Sequence, residues 1–433
     1  MAGEWETGTL SDIAELVMGQ SPTGETCNEN GKGVPLLNGP TEFGGSHPKP
    51  VQFTTDPRKY AEPGDLLFCV RGSTTGRMNW ADQRYAIGRG LAAIRPKQGN
   101  EYRHFVRAVI DANLPRLLAS ATGSTFPNVS REQIREIECN IPPLTEQKAI
   151  AAVLGALDDK IELNRRMNAT LEAMSRALFQ SWFVDFDPVR AKLDGRPTAA
   201  LDPATAALFP DSFQESSLGP IPHGWEVCPL SEKIQLLSGG TPKTSEPTYW
   251  DGDIPWYSVR DAPSETDVWV IRTDKHVTKL GIANSAAQIF PEKTTIISAR
   301  GTVGKLALTA VPMAMNQSCY GVRGVTGYGD YFTYYSLREA TAQLQQRTHG
   351  TVFDTITTET FKTLDCIFPT PKITAAFDKL VEPLLGQIRA NLHQSRTLAT
   401  LRDTLLPKLL SGELSVAPTD KESLSVQNTS KKS

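Results

Sequence analysis

The feature that most constrains this chain is a long helical periodicity that occurs twice. From Ile150 to Trp182 an apolar or small polar residue falls every three or four positions: Ile150, Leu154, Leu157, Ile161, Asn164, Asn168, Leu171, Ser175, Leu178 and Trp182. That spacing marks one seam of a coiled-coil helix. A second seam lies 227 residues downstream: Phe377, Val381, Leu384, Ile388, Asn391, Ser395, Leu398, Arg402, Leu405 and Leu409. Every position is apolar in both copies or polar in both, and Asn164 maps onto Asn391. An unbroken helix over Thr145–Trp182 reaches about 55 Å, at about 1.5 Å per residue. Gly155 interrupts the first seam. Pro383, Gly386 and Pro407 interrupt the second and predict a kink or a late start. Two such helices in antiparallel contact would bring Asn164 and Asn391 together as a register-fixing polar pair.

The repeat extends beyond the helices. Trp5, Leu10, Ser11, Gly19 and Pro22 match Trp225, Leu230, Ser231, Gly239 and Pro242 at an offset of 220. The run Asp65–Ser73, ending in Arg71-Gly72, matches Thr294–Thr302, ending in Arg300-Gly301, at 229. Gly123–Phe126 matches Gly350–Phe353, and Ile137–Pro142 matches Leu364–Pro369, both at 227. Small loop insertions and deletions produce such a drift. The chain is therefore a tandem duplication in which each copy is a globular domain followed by a long helix. Leu66–Val70 and Thr295–Ala299 read as buried strands. Glu101–Ala119 carries a helical stripe that Pro115 should kink, and 330–346 is its counterpart. The Pro-rich stretch 184–222 reads as a linker laid over the surface, and the polar end, 413–433, as disordered.

At 433 residues the chain exceeds one ordinary core. It has no apolar run long enough to span a bilayer and no signal-like N-terminus, so a cytoplasmic location is expected. The six Cys and six His are scattered, without metal-ligand spacing. Catalytic signatures are missing too. Gly301–Leu306 lacks the first Gly and the hydroxyl residue of a phosphate loop, and Asn140-Ile-Pro-Pro143 lacks the aromatic order of an amino-methyltransferase motif. What remains is binding. The net charge is −3, but basic residues cluster in 58–107 and again in 272–323, the same part of each copy. Cations at phosphates supply affinity, while Arg, Gln and Asn at base edges supply selectivity. The candidates for DNA contact are Arg71, Arg77 and Arg89 in the first copy, with Arg260, Arg300, Lys305 and Gln317 in the second. Arg71 and Arg300 have an alternative role, bonding the carbonyls of their own loops.

Several motifs together resemble one family. They are Gly224-Trp225-Glu226 opening the second copy, Gly19–Pro22 with its partner Gly239–Pro242, and Arg300–Gly304. Pro142–Gln147 leads into the first helix, Phe183–Val189 follows it, and Leu406–Leu414 closes the chain. In combination they are similar to the specificity subunits of Type I restriction–modification enzymes, over nearly the whole chain. Pro371-Lys372-Ile373 departs from the pattern at the start of the second helix. The resemblance implies a mixed α/β (α+β) fold with two globular target-recognition domains, 1–144 and 223–371. Two antiparallel coiled-coil spacer helices, 145–183 and 372–412, separate them. Their interface is expected at Ile150, Leu154, Leu157, Ile161, Asn164, Leu171, Leu384, Ile388, Asn391, Leu398 and Leu405. It further implies a non-catalytic subunit that reads a split DNA target and docks two methyltransferase subunits and endonuclease/translocase subunits. S-adenosylmethionine would be carried by the methyltransferase partner, with no cofactor or metal on this chain. Two alternatives stay open: the specificity chain of a Type IIB system, and a methyltransferase with a diverged cofactor site.

Overall fold

The computed structural model describes residues 5–121, 127–198, 201–325, 327–347 and 355–416, with side chains at 345–347 left aside. The Gly123–Phe126 and Gly350–Phe353 match and most of the 413–433 tail lie outside the described residues. The chain forms two compact units, residues 1–162 with 396–433, and residues 163–395. Both unit boundaries fall inside the long helices, Leu144–Phe183 and Pro371–Ser411. Each unit therefore holds one end of each helix.

The first unit is built on a four-stranded sheet ordered Ala14–Met18, Leu91–Pro96, Leu66–Cys69 and Met78–Trp80. Leu66, Phe68 and Ile94 face one core, which takes in Ile150, Leu154 and Leu409 from the long helices. Leu67, Cys69 and Ala93 face a second core. That is the period-two alternation of a strand buried on both sides. The second sheet pairs Val34–Leu37 parallel with Tyr85–Ile87 and antiparallel with Gln52–Thr54.

The second unit repeats this plan. Its main sheet runs Ile234–Ser238, Cys319–Gly324, Thr295–Ser298, Leu306–Thr309 and Trp269–Val270. Trp250–Tyr257 pairs parallel with Ala314–Met315 and antiparallel with Lys275–Val277. In each unit a short N-terminal strand closes on the strand before the long helix: Glu6–Thr9 on Glu138–Ile141, and Glu226–Pro229 on Asp365–Phe368.

Within each unit the two long helices run antiparallel. Arg402 bonds Asp158 at 2.8 Å in the first, and Asn391 bonds Asn168 at 3.0 Å in the second. Of the expected interface, Ile150, Leu154, Asn164, Ile388 and Asn391 are buried. Leu157, Ile161, Leu171, Leu398 and Leu405 are half-buried. Leu384 is also only half-buried; the fully buried residue is Leu385, four after Val381 and three before Ile388. Asn164 does not bond the Asn391 side chain. Its amide reaches the Asn391 main-chain oxygen at 3.4 Å, Gln394 at 2.9 Å and Ser395 at 3.1 Å.

None of the prolines inside these helices ends its helix. The second helix is continuous over 41 residues through Pro383 and Pro407, and Arg103–Ala119 is one helix through Pro115. Pro383 lies on the exposed side while Val381, Leu385 and Ile388 are buried opposite, so core packing outweighs one lost helical bond. Gly155 has a packing reason: a Cβ there would stand 2.9 Å from the His104 ring.

The stretch 184–222 also differs from a surface linker. It forms helices Asp187–Leu193 and Pro203–Ala207 and a two-stranded ribbon. Phe186, Val189, Phe209 and Ile221 enter the core of the second unit beside Trp182, Trp225 and Phe377.

Candidate nucleic-acid interface

All the sequence-predicted residues but Arg260 fall at one place in each unit, the end of the main sheet where the central strand turns back. In the first unit the Leu66–Cys69 strand runs antiparallel to Leu91–Pro96, with Cys69 opposite Leu91 and Val70 N–H on the Gly90 carbonyl at 2.9 Å. Continuing that ladder by one step sets Arg71 opposite Arg89. On its other edge, Cys69 N–H donates to the Arg77 carbonyl at 2.9 Å. Arg71, Arg77 and Arg89 thus surround one strand end.

The second unit repeats the arrangement bond for bond. Ser298 stands opposite Cys319, Ala299 N–H donates to the Ser318 carbonyl at 2.8 Å, and Ser298 N–H donates to the Lys305 carbonyl at 2.9 Å. Arg300, Lys305 and Gln317 occupy the places of Arg71, Arg77 and Arg89. The equivalence of Arg89 and Gln317 was invisible to a comparison by residue type, because one is a cation and the other an amide. Arg260 stands outside this shared set; its repeat counterpart is Pro40, and it borders a different cavity with Asp261 and Asp267.

The strand-end loops are shaped by glycine. Gly72 and Gly76 have φ of 95° and 90°, and Gly301 and Gly304 have 77° and 84°. Residues with a Cβ rarely adopt this left-handed region. The loops are anchored at equivalent points: Gly76 N–H on the Cys69 carbonyl and Gly304 N–H on the Ser298 carbonyl, both at 2.9 Å. Arg71 and Arg300 each make an isolated backbone bridge, to Asn128 and to Thr355. A second loop supports the 89/317 position. Gln20 N–H donates to the Ile87 carbonyl, as Gly240 N–H does to Met315, both at 2.9 Å. Ser21 Oγ accepts the Arg89 main-chain N–H at 3.2 Å. At the equivalent point the Thr241 hydroxyl donates to Gln317 Oε1.

Several other cations of the basic regions are held in ion pairs. Arg95 grips buried Asp65 with two bonds of 2.7 Å, which holds its guanidinium above its ordinary range. Arg58 pairs with Asp56, Arg84 with Glu62, and Arg107 with Asp111. In the second unit Lys293 pairs with Glu382 and Arg323 with Asp330. These are structural. Arg71, Arg77, Arg89, Arg260, Arg300 and Lys305 are exposed and form no ion pair among the described residues, and Gln317 is exposed as well. The side chains of Arg71 and Arg300 make no hydrogen bond to their own loops among the described residues. Burial pushes the thiol of Cys319, beside the second strand end, up to about 12. Among the described residues no group of three His, Cys, Asp or Glu could hold a metal ion, and no helix is long and apolar enough to cross a membrane.

An exposed cluster of uncompensated cations, repeated in two copies of one fold, fits a polyanionic partner. Comparison with known proteins agrees. The chain is 27% identical over 405 residues to the Type I restriction enzyme HindI specificity subunit of Haemophilus influenzae, covering 82% of this chain and 88% of that one. It is 25% identical over 430 residues to the MjaIX specificity subunit of Methanocaldococcus jannaschii, covering 95% and 94%. In fold it is similar to the crystal structure of a Type I restriction–modification S subunit from M. genitalium, with a TM-score of 0.55 and 18% identity over 94% of this chain and 96% of that one. The family model for the Type I restriction modification DNA specificity domain matches twice, over residues 2–173 and 222–392, the two copies of the repeat. The chain belongs to the family of Type I restriction–modification specificity subunits.

Proposed function

We propose that this chain reads a split DNA target, each unit recognising one half-site through its strand-end cluster. The observation that carries this reading is the repetition of Arg71, Arg77 and Arg89 as Arg300, Lys305 and Gln317 on equivalent backbone positions, all exposed. Two similar sites on one chain suit two similar but non-identical half-sites. The chain itself performs recognition. It docks two methyltransferase subunits, which bring S-adenosylmethionine to the target, and endonuclease/translocase subunits complete the restriction enzyme. The repeated family match supports this assembly, since it makes each half a specificity module.

The test uses the chain assembled with its methyltransferase subunit. DNA from cells expressing the pair should carry methylation at one motif with two specified halves and an unspecified spacer. Arg77→Ala and Lys305→Ala should weaken binding to all sequences alike and lower the salt dependence by about one phosphate each. Unaltered affinity and salt slope in both variants would remove these residues from the interface. S-adenosylmethionine should bind the assembled pair and not the isolated chain; binding to the isolated chain would favour a methyltransferase instead.

A further inference from the structure

We propose that positions 89 and 317 are the base-selecting pair of this chain, Arg89 taking a guanine in one half-site and Gln317 an adenine in the other. The inference rests on the DNA-reading function above and assigns it a chemistry. Of the three equivalent positions at the strand end, two hold a cation in both units: Arg71 and Arg300, Arg77 and Lys305. A phosphate backbone presents the same charge in either half-site, so contacts to it call for the same residue type twice. Only the third position changes, from Arg89 to Gln317. A position that changes class while its backbone frame stays fixed is suited to meet the part of DNA that differs, the base edge.

The chemistry of the two side chains defines the bases. A guanidinium offers two parallel N–H groups, which match the N7 and O6 acceptors of guanine in the major groove. A carboxamide offers one donor and one acceptor, which match N7 and the N6 amino group of adenine. The surroundings support this. The Thr241 hydroxyl donates to Gln317 Oε1, which holds the amide against the neighbouring loop. One lone pair of that oxygen and both hydrogens of the nitrogen stay available. In the first unit Ser21 accepts the main-chain N–H of Arg89 rather than touching its side chain. The Arg89 guanidinium is exposed and without an ion pair among the described residues. Thr241 is thus a positioning residue for Gln317.

The experiment maps the modified motif, and selects preferred sites from random DNA, for the assembled complex with its methyltransferase subunit. Wild type should specify a guanine in the half-site that responds to residue 89. Arg89→Gln should replace it with adenine, or lose preference at that one base by about 5- to 150-fold, with the other half-site unchanged. Gln317→Arg should shift one adenine of the other half-site toward guanine. Arg89→Lys keeps the charge and loses the fork, so it should retain affinity for non-specific DNA within about threefold while losing selectivity at the same base. Thr241→Val should lower the preference for that adenine without altering any other position. All three sites are exposed or half-buried, so unchanged circular dichroism is expected of each variant. Uniform weakening on every sequence with the motif unchanged would make Arg89 a phosphate contact and overturn the proposal. So would an unaltered motif at unaltered affinity, or a wild-type half-site that responds to residue 89 but contains no guanine. A wild-type complex that modifies no split motif would instead overturn the DNA-reading function on which the proposal rests.

Discussion

Asn391 and Asn168, on opposite long helices, share a buried hydrogen bond of 3.0 Å from Nδ2 to Oδ1, and the repeat turns this pair into Asn164 and Ser395, which are bonded at 3.1 Å. Asn164 is the counterpart of Asn391, and Ser395 of Asn168. The two contacts are therefore copies of one another about a local pseudo-dyad near Arg166 and His393. Asn168 passes the network on to Asp267 at 3.1 Å, and Gln387 donates to Asn391 Oδ1 at 2.8 Å. All of these residues belong to the second unit.

This pairing predicts strong coupling. Asn391→Leu alone strands the Asn168 oxygen in a buried seam, at a cost of about 1–3 kcal/mol. Asn168→Leu alone strands the Asn391 amide at a similar cost. The double variant removes both polar groups and adds apolar burial, so it should be less destabilised than the sum of the singles by about 0.5–3 kcal/mol. Urea denaturation of the four proteins in this cycle measures the coupling. Additive effects would mean that the two amides do not depend on each other.

Gly155 gives a prediction of sign. In an exposed helix Gly→Ala is worth about 1 kcal/mol of stabilisation. Here the new methyl meets the ring of His104, itself held 5.2 Å from the Trp80 ring centroid, so Gly155→Ala should destabilise the first unit. In a His104→Ala background the ring is gone, and the same substitution should stabilise. Thermal melts of both pairs check the reversal; stabilisation in both backgrounds would show that the ring yields freely.

Asp378 supplies a pH dependence. It caps the Asp330–Arg347 helix from a distant element, accepting N–H bonds from Phe332 at 2.8 Å and Tyr331 at 3.2 Å. Burial raises its carboxyl to about 6 despite these donors. A carboxyl raised on folding favours the native state below its unfolded value, about 3.9, and loses that contribution as pH rises through the folded value. The stability advantage of wild type over Asp378→Asn should therefore shrink between about pH 4 and pH 7, by up to about 1.4 kcal/mol per unit. Denaturation at both pH values tests this, and the difference cancels other titrating groups. A constant difference would show that Asp378 keeps its unfolded-state pKa in the fold.

How much of this was legible in the sequence depends on the distance over which each contact acts. The repeat and the buried strands were legible, because offsets and apolar runs are local patterns. The helix faces were legible and their axial register was not. Periodicity says that Asn164 and Asn391 face inward, while the register that sets Asn391 beside Asn168 comes from packing along both helices. The 184–222 stretch was hidden by its prolines, since Phe186, Val189, Phe209 and Ile221 reach the core without any regular period. At the site, the basic regions were legible but not their division of labour. Arg95 meets Asp65 across a strand pair, and only the strand register separates it from Arg71 and Arg89.

The duplication itself predicts a smaller assembly. In the first unit Ile150 and Leu154 share a core with Leu409; in the second, Phe179 and Trp182 share one with Phe377 and Val381. A fragment from Met1 to Arg190 loses the second helix and exposes both ends of the first. Burial of each such side chain is worth about 1.5–3 kcal/mol, so the exposed seam favours association. Because the second seam copies the first, another copy of the fragment offers the missing surface in the same register. Asn164 is the counterpart of Asn391, so in the dimer Asn164 of one copy should bond Asn168 of the other, twice, about a true two-fold axis. Two identical first units would then be presented, and the dimer with its methyltransferase subunits should modify an inverted repeat of one half-site. Sedimentation of the fragment tests the association, and methylation mapping tests the readout. Asn168→Leu should weaken the dimer, since it strands both Asn164 amides at once. A fragment that stays monomeric at micromolar concentration, or a dimer that directs methylation to a non-palindromic motif, would show that the two copies are not interchangeable.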